Sequence, residues 1–160
     1  MMHLIRNPLK KQQGFTLLES LISLTVLSIG LLGIAALFFE GLRSGRTAIY
    51  RTEAVYLAGD MADRIRANPL GGTAYTEDGS TKGCIGGTKN CSAAELAAED
   101  RLIWETEIQN LMPGGTEYSV TYAEGTPTNT YVISLSWQEP GFVDAEGNPK
   151  PLTYALEMEI

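Results

Sequence analysis

Between Lys11 and Glu40 this chain carries one charged side chain, Glu19, and from Leu21 to Phe39 it carries none. As a helix the 25 residues 15–39 span roughly 37 Å at about 1.5 Å per residue. That is enough to cross a hydrocarbon core of roughly 30 Å with some tilt. The segment before the run holds Arg6, Lys10 and Lys11 and no acid. A basic flank of this kind keeps the amino terminus cytoplasmic and sends the remainder across the membrane. A carboxylate in a bilayer-length apolar stretch is costly, so Glu19 is a candidate functional residue from the outset.

An ordinary secretory signal places its small-residue cleavage site after the apolar core, and Ala35-Ala36-Leu37 is a poor site of that type. Gly14-Phe15 lies before the core, so cleavage there retains the apolar helix as an anchor. The run Gly14-Phe15-Thr16-Leu17-Leu18-Glu19, continued by Ser20-Leu21-Ile22 and preceded by basic residues, resembles a type IV prepilin leader. The resemblance implies that a membrane-embedded prepilin peptidase cuts after Gly14 and methylates Phe15 as the mature amino terminus. It also implies that Glu19 guides docking between subunits. The competing reading is an uncleaved signal anchor whose Glu19 snorkels to the interface.

Once Gly14 is removed, the free amine of Phe15 stands about one helical turn from Glu19. In a bundle, the carboxylate of one subunit meets the amine of another, and pairing makes burial of both tolerable. The gain is register, because a slipped neighbour strands both charges.

Chain length suits one small domain plus the anchor. From Glu40 onward nine Lys/Arg stand against eighteen Asp/Glu, a net charge of −9. Such a head is a poor nucleic-acid binder through phosphate neutralisation, and Arg64, Arg66, Lys82 and Lys89 are too sparse to change that. Most of these charges are expected on a solvated surface. The chain therefore divides into a basic leader over 1–14, a transmembrane and assembly helix over 15–39, and a periplasmic head over 40–160.

The helix is expected to continue to Ala67, where Asn68-Pro69-Leu70-Gly71-Gly72 stops it. Leu42, Ile49, Val55, Tyr56, Ala62 and Ile65 give its outer half an apolar stripe, and Asp60 and Arg64 form an i,i+4 pair. A Gly/Thr/Ser-rich loop over 71–91 holds Cys84 and ends at Cys91. Six residues separate the two cysteines, a spacing suited to a disulfide in an oxidising compartment, with two free thiols as the alternative. The sole histidine, His3, is in the leader, so no metal site is expected. Ser92-Ala93-Ala94-Glu95 is a capping-box signature. It opens a second helix running to about Met112, whose stripe of Leu96, Ile103, Trp104, Ile108, Leu111 and Met112 reads as core.

Three alternating strands follow. The first carries Tyr118, Val120 and Tyr122. After the turn Gly125-Thr126-Pro127-Thr128-Asn129 the second carries Tyr131, Ile133, Leu135 and Trp137. The third carries Leu152, Tyr154, Leu156, Met158 and Ile160. This is an α+β pattern with an antiparallel meander buried on one face. It matches the pilin fold that the leader implies, a long amino-terminal helix packed on a small antiparallel sheet, with a second helix.

Within that superfamily, the short cysteine pair, the run Cys91 to Ala97, Asp100 to Trp104, and Ile133-Ser134-Leu135-Ser136-Trp137-Gln138-Glu139 are similar to PilV-type minor pilins. Major pilins usually close a disulfide near the carboxyl terminus, and no cysteine follows Cys91 here. The resemblance implies a low-abundance subunit that primes pilus assembly and is compatible with a place at the filament tip. Its implied partners are other minor and major pilins, the prepilin peptidase, the inner-membrane assembly platform and membrane lipid, with no cofactor and no nucleic acid. It implies an inner-membrane, single-pass protein that later joins the extracellular pilus.

No catalytic constellation stands out, and a non-enzymatic role is expected. Asp144, Glu146 and Asn148 around Gly147 depart from calcium-loop spacing and read as a solvated turn. Two rival functions keep the same leader. One is a minor pseudopilin of a type II secretion system. The other is a pilus-tip adhesin using exposed aromatics such as Tyr75 or Phe142.

Overall fold

A computed structural model describes residues 14–86, 89–125 and 128–160. The basic leader with Arg6, Lys10 and Lys11, and Thr126-Pro127 of the expected turn, lie outside the described residues. The elements are helix α1 (Leu17–Ala67), a 3-10 helix over Pro69–Thr76, helix α2 (Ala93–Leu111), and strands β1 (Glu117–Ala123), β2 (Thr130–Trp137) and β3 (Leu152–Glu159). The chain divides into two compact units, Met1–Arg43 and Ser44–Ile160. In the first, every described residue from Gly14 to Arg43 is exposed, and the apolar stretch of α1 is long enough to cross a membrane.

In the second unit α1 presents Ala54, Leu57, Ala58, Met61, Ala62 and Ile65 to the core, all fully buried. Their spacing alternates three and one, which is one face of a 3.6-residue helix. Four of the six residues of the expected stripe are not core. Ala62 and Ile65 are core, but Leu42, Ile49, Val55 and Tyr56 are 57%, 59%, 50% and 59% exposed. Two apolar stripes run along the helix, and the alanine-lined one wins because small side chains admit close partners. Trp104 of α2 comes near enough to donate its indole N–H to the Leu57 carbonyl at 2.7 Å.

The sheet is antiparallel in the order β1-β2-β3. Its register stacks Tyr118, Leu135 and Tyr154 in one row and Val120, Ile133 and Leu156 in the next. The buried face of β2 is Tyr131, Ile133, Leu135 and Trp137, as the alternation requires. With α1 and α2 this makes an α+β fold with the expected long amino-terminal helix, second helix and small antiparallel sheet. The second helix starts and stops where expected, although Leu111 is 41% exposed and lies off its buried face.

The segment after α1 is more structured than a loop. It folds into the 3-10 helix and buries Tyr75 completely, against the expectation of an exposed aromatic. The tyrosine hydroxyl explains the difference. It accepts from Asn68 Nδ2 at 3.2 Å, and its proton is within reach of the Arg64 carbonyl at 3.2 Å and Asp100 Oδ2 at 3.0 Å.

Candidate functional site

The amino-terminal site is assembled by the start of α1. Thr16 Oγ1 accepts from the Glu19 backbone N–H at 3.2 Å, so Thr16 caps the helix from just outside it. This places the Glu19 carboxylate in the first turn, where the helix dipole favours a negative charge. Further along, Thr25 and Ser28 return their hydroxyls to the carbonyls of Ile22 and Leu24, each at 2.8 Å. Those polar groups are satisfied within the helix, as an apolar surround demands. No hydrogen bond or ion pair engages the Glu19 carboxylate among the described residues. Gly14 and Phe15 precede the helix, and Phe15 is 80% exposed. The arrangement is an apolar rod whose one acid is available to an outside partner. Thr16 was not singled out in the sequence, although Thr16-Leu17-Leu18-Glu19 has capping-box spacing.

The second candidate feature is the cysteine pair. Cys84 and Cys91 form a disulfide, with their Cα atoms 5.8 Å apart. The staple ends at the α2 cap. There Glu95 N–H donates to Ser92 Oγ at 3.2 Å, and Ser92 N–H donates to Glu95 Oε2 at 3.0 Å. Lys89 Nζ reaches Glu95 at 2.8 Å. Lys89, followed by the Ser92 donors, lowers the Glu95 carboxyl to about 2.

The rest of the loop is docked along α2 through backbone donors that composition does not reveal. Cys84 N–H bonds Glu99, Ser80 N–H bonds the Ala98 carbonyl at 2.9 Å, and Gly79 N–H bonds both Glu105 oxygens at 3.3 Å. Gly79 is required by proximity, because a Cβ there would lie 2.2 Å from the Leu102 nitrogen.

Several charges expected on the surface are buried instead. Arg101 is 3% exposed; it pairs with Glu105 at 2.8 Å, donates to the Glu77 carbonyl, and lies 5.1 Å over the Trp104 ring. Burial lowers its pKa, with Glu105 opposing. Arg64 bridges Asp60 at 2.7 Å and Asp100 at 3.2 Å. Burial works against its charge, yet Asp60 and then Asp100 raise its pKa overall. These groups hold the head together. Asp144 is likewise occupied by its own turn, accepting from Asn148 N–H at 2.8 Å and Glu146 N–H at 3.1 Å. Those bonds, Asn148 first, lower its pKa.

The family description "Prokaryotic N-terminal methylation motif" matches residues 9–35, and "Type IV pilin Tt1218" matches residues 36–102. The three strands lie beyond both matches. No curated protein and no solved structure is significantly similar to the chain.

Proposed function

Because this chain is a type IV pilin-like protein, a subunit for pilus or pseudopilus assembly, we propose that it is a minor pilin that primes or supports type IV pilus assembly. One observation carries the reading. The apolar half of α1 is exposed along its whole length, and its one carboxylate, Glu19, sits in the first turn without a partner among the described residues. A lone acid there is costly in lipid and becomes tolerable when it meets the methylated amine of Phe15 on a neighbouring subunit. In this reading the prepilin peptidase cuts after Gly14. The head is carried on the periplasmic side, and the mature chain joins other minor and major pilins from the inner-membrane assembly platform. Its role is structural, not catalytic. The position of its one disulfide, Cys84–Cys91, with no cysteine following, favours a minor over a major subunit.

A minor pseudopilin of a secretion system remains the second reading, favoured by the shared leader and helix. An adhesin role loses Tyr75, which is buried, and retains Phe142 at 38% exposure. The test is the amino-terminal mass of the protein from cells with and without prepilin peptidase. A peptide beginning at methylated Phe15 only when the enzyme is present supports the assembly reading. An intact leader in both strains overturns it. Loss of filaments, against loss of secretion, on deletion separates pilus from pseudopilus.

A further inference from the structure

We propose that the open edge of β3 receives an extended segment of a partner subunit, apolar on the side facing α1 and basic on the side facing Glu157 and Glu159. Three observations place a strand there. First, β3 pairs with β2 alone, so its outer edge offers unpaired backbone groups among the described residues. The opposite edge differs, since β1 packs against the 3-10 helix. Second, the side chains of β2 that face the helices are all buried. Of the equivalent set on β3, Met158 is buried, whereas Leu152, Tyr154 and Leu156 are only partly covered. Third, a groove of about 450 Å³ is lined by Arg51 and Val55 of α1 together with Trp137 at the end of β2 and Leu152, Thr153 and Tyr154 at the start of β3. The partly covered side chains of β3 and this groove leave apolar surface that one more strand would cover.

The charges choose the occupant. Glu157 and Glu159 are exposed on the outer face of the sheet, opposite Val132 and Thr130. Antiparallel pairing of two β3 edges along their length would set Glu157 of one copy against Thr153 or Ala155 of the other, so the carboxylates would gain no cation there. A strand with Lys or Arg at those positions gains cross-strand pairs instead. Arg51 at the groove disfavours cations on the other side, where apolar side chains fill the space. Backbone pairing then supplies affinity and the alternation supplies selectivity.

That the partner is a pilus subunit rests on the assembly reading above; the open edge does not. The test therefore needs no filament. The full chain in detergent micelles is titrated with a blocked ten-residue peptide alternating valine and lysine, and with its valine–glutamate counterpart. Amide exchange across 152–159 and Trp137 fluorescence are recorded. The expected result is slowed exchange in β3 and a Trp137 change with the lysine peptide alone. The double charge reversal E157K/E159K should shift the preference toward the glutamate peptide by about tenfold or more. If that variant does not fold, E157Q/E159Q should abolish the preference. Equal response to both peptides, no protection in β3, or an unchanged preference in the folded variant would overturn the proposal. Such a failure leaves the leader-processing result as it stands.

Discussion

Tyr75→Phe removes one oxygen from the most densely bonded point in the head. That oxygen lies 3.2 Å from Asn68 Nδ2, 3.0 Å from Asp100 Oδ2 and 3.2 Å from the Arg64 carbonyl. A neutral hydrogen bond contributes about 0.5–1.5 kcal/mol and one to a charged group about 1.5–3 kcal/mol. The bonds lost are one of each kind, because the single hydroxyl proton serves one acceptor at a time. Their partners are not orphaned. Asn68 keeps the Ala93 carbonyl at 2.8 Å, and Asp100 keeps Arg64 at 3.2 Å. The cost should therefore fall at the low end, about 2 kcal/mol. For a unit of this size each kcal/mol moves Tm by roughly 3–5 °C, so Y75F should melt about 6–10 °C lower. The assay is near-ultraviolet circular dichroism of the full chain in micelles, followed through Trp104 and Trp137. Burial also pushes the Tyr75 hydroxyl well above its ordinary range, so the wild-type phenol should not titrate at moderately alkaline pH. A Y75F Tm within about 2 °C of wild type would refute this account of why the 3-10 segment folds onto α1 and α2.

Glu19→Val should weaken recruitment into an assembly while the head melts as in wild type; co-purification with partner pilins at normal yield would sink the docking role. Replacing Cys84 and Cys91 by serine should cost about 2–3 kcal/mol in the chain-entropy model, with faster amide exchange concentrated in 79–91. The Glu95 carboxyl is depressed in the fold, from 4.5 to about 2. Its contribution is therefore complete above about 4.5 and fades as pH falls toward about 2. The Tm difference between wild type and E95Q should shrink across that window, and a constant difference would contradict the Lys89 and Ser92 contacts. Gly79→Ala, which drives a methyl into the α2 backbone, should destabilise by about 1–3 kcal/mol. Gly114→Ala, where a Cβ meets nothing, is the neutral control.

Features with a local cause were legible in the sequence. The end of α1 at Ala67 follows from Asn68-Pro69, the Ser92–Glu95 cap from its spacing, and the inward set of β2 from strict alternation. The apolar length of the first half of α1 and its one acid, Glu19, were equally plain, since both are properties of consecutive residues. Tertiary structure decided what depends on distant partners. It chose the alanine face of α1 over the face of Leu42, Ile49 and Tyr56, because Trp104 needs close approach to the Leu57 carbonyl. It turned Glu99 and Glu105 from surface charges into acceptors for the loop over 77–91. It buried Tyr75 through contacts to Asn68, Arg64 and Asp100. Periodicity reports which residues share a face, but only the packed neighbours determine which face is covered and which polar groups are satisfied there.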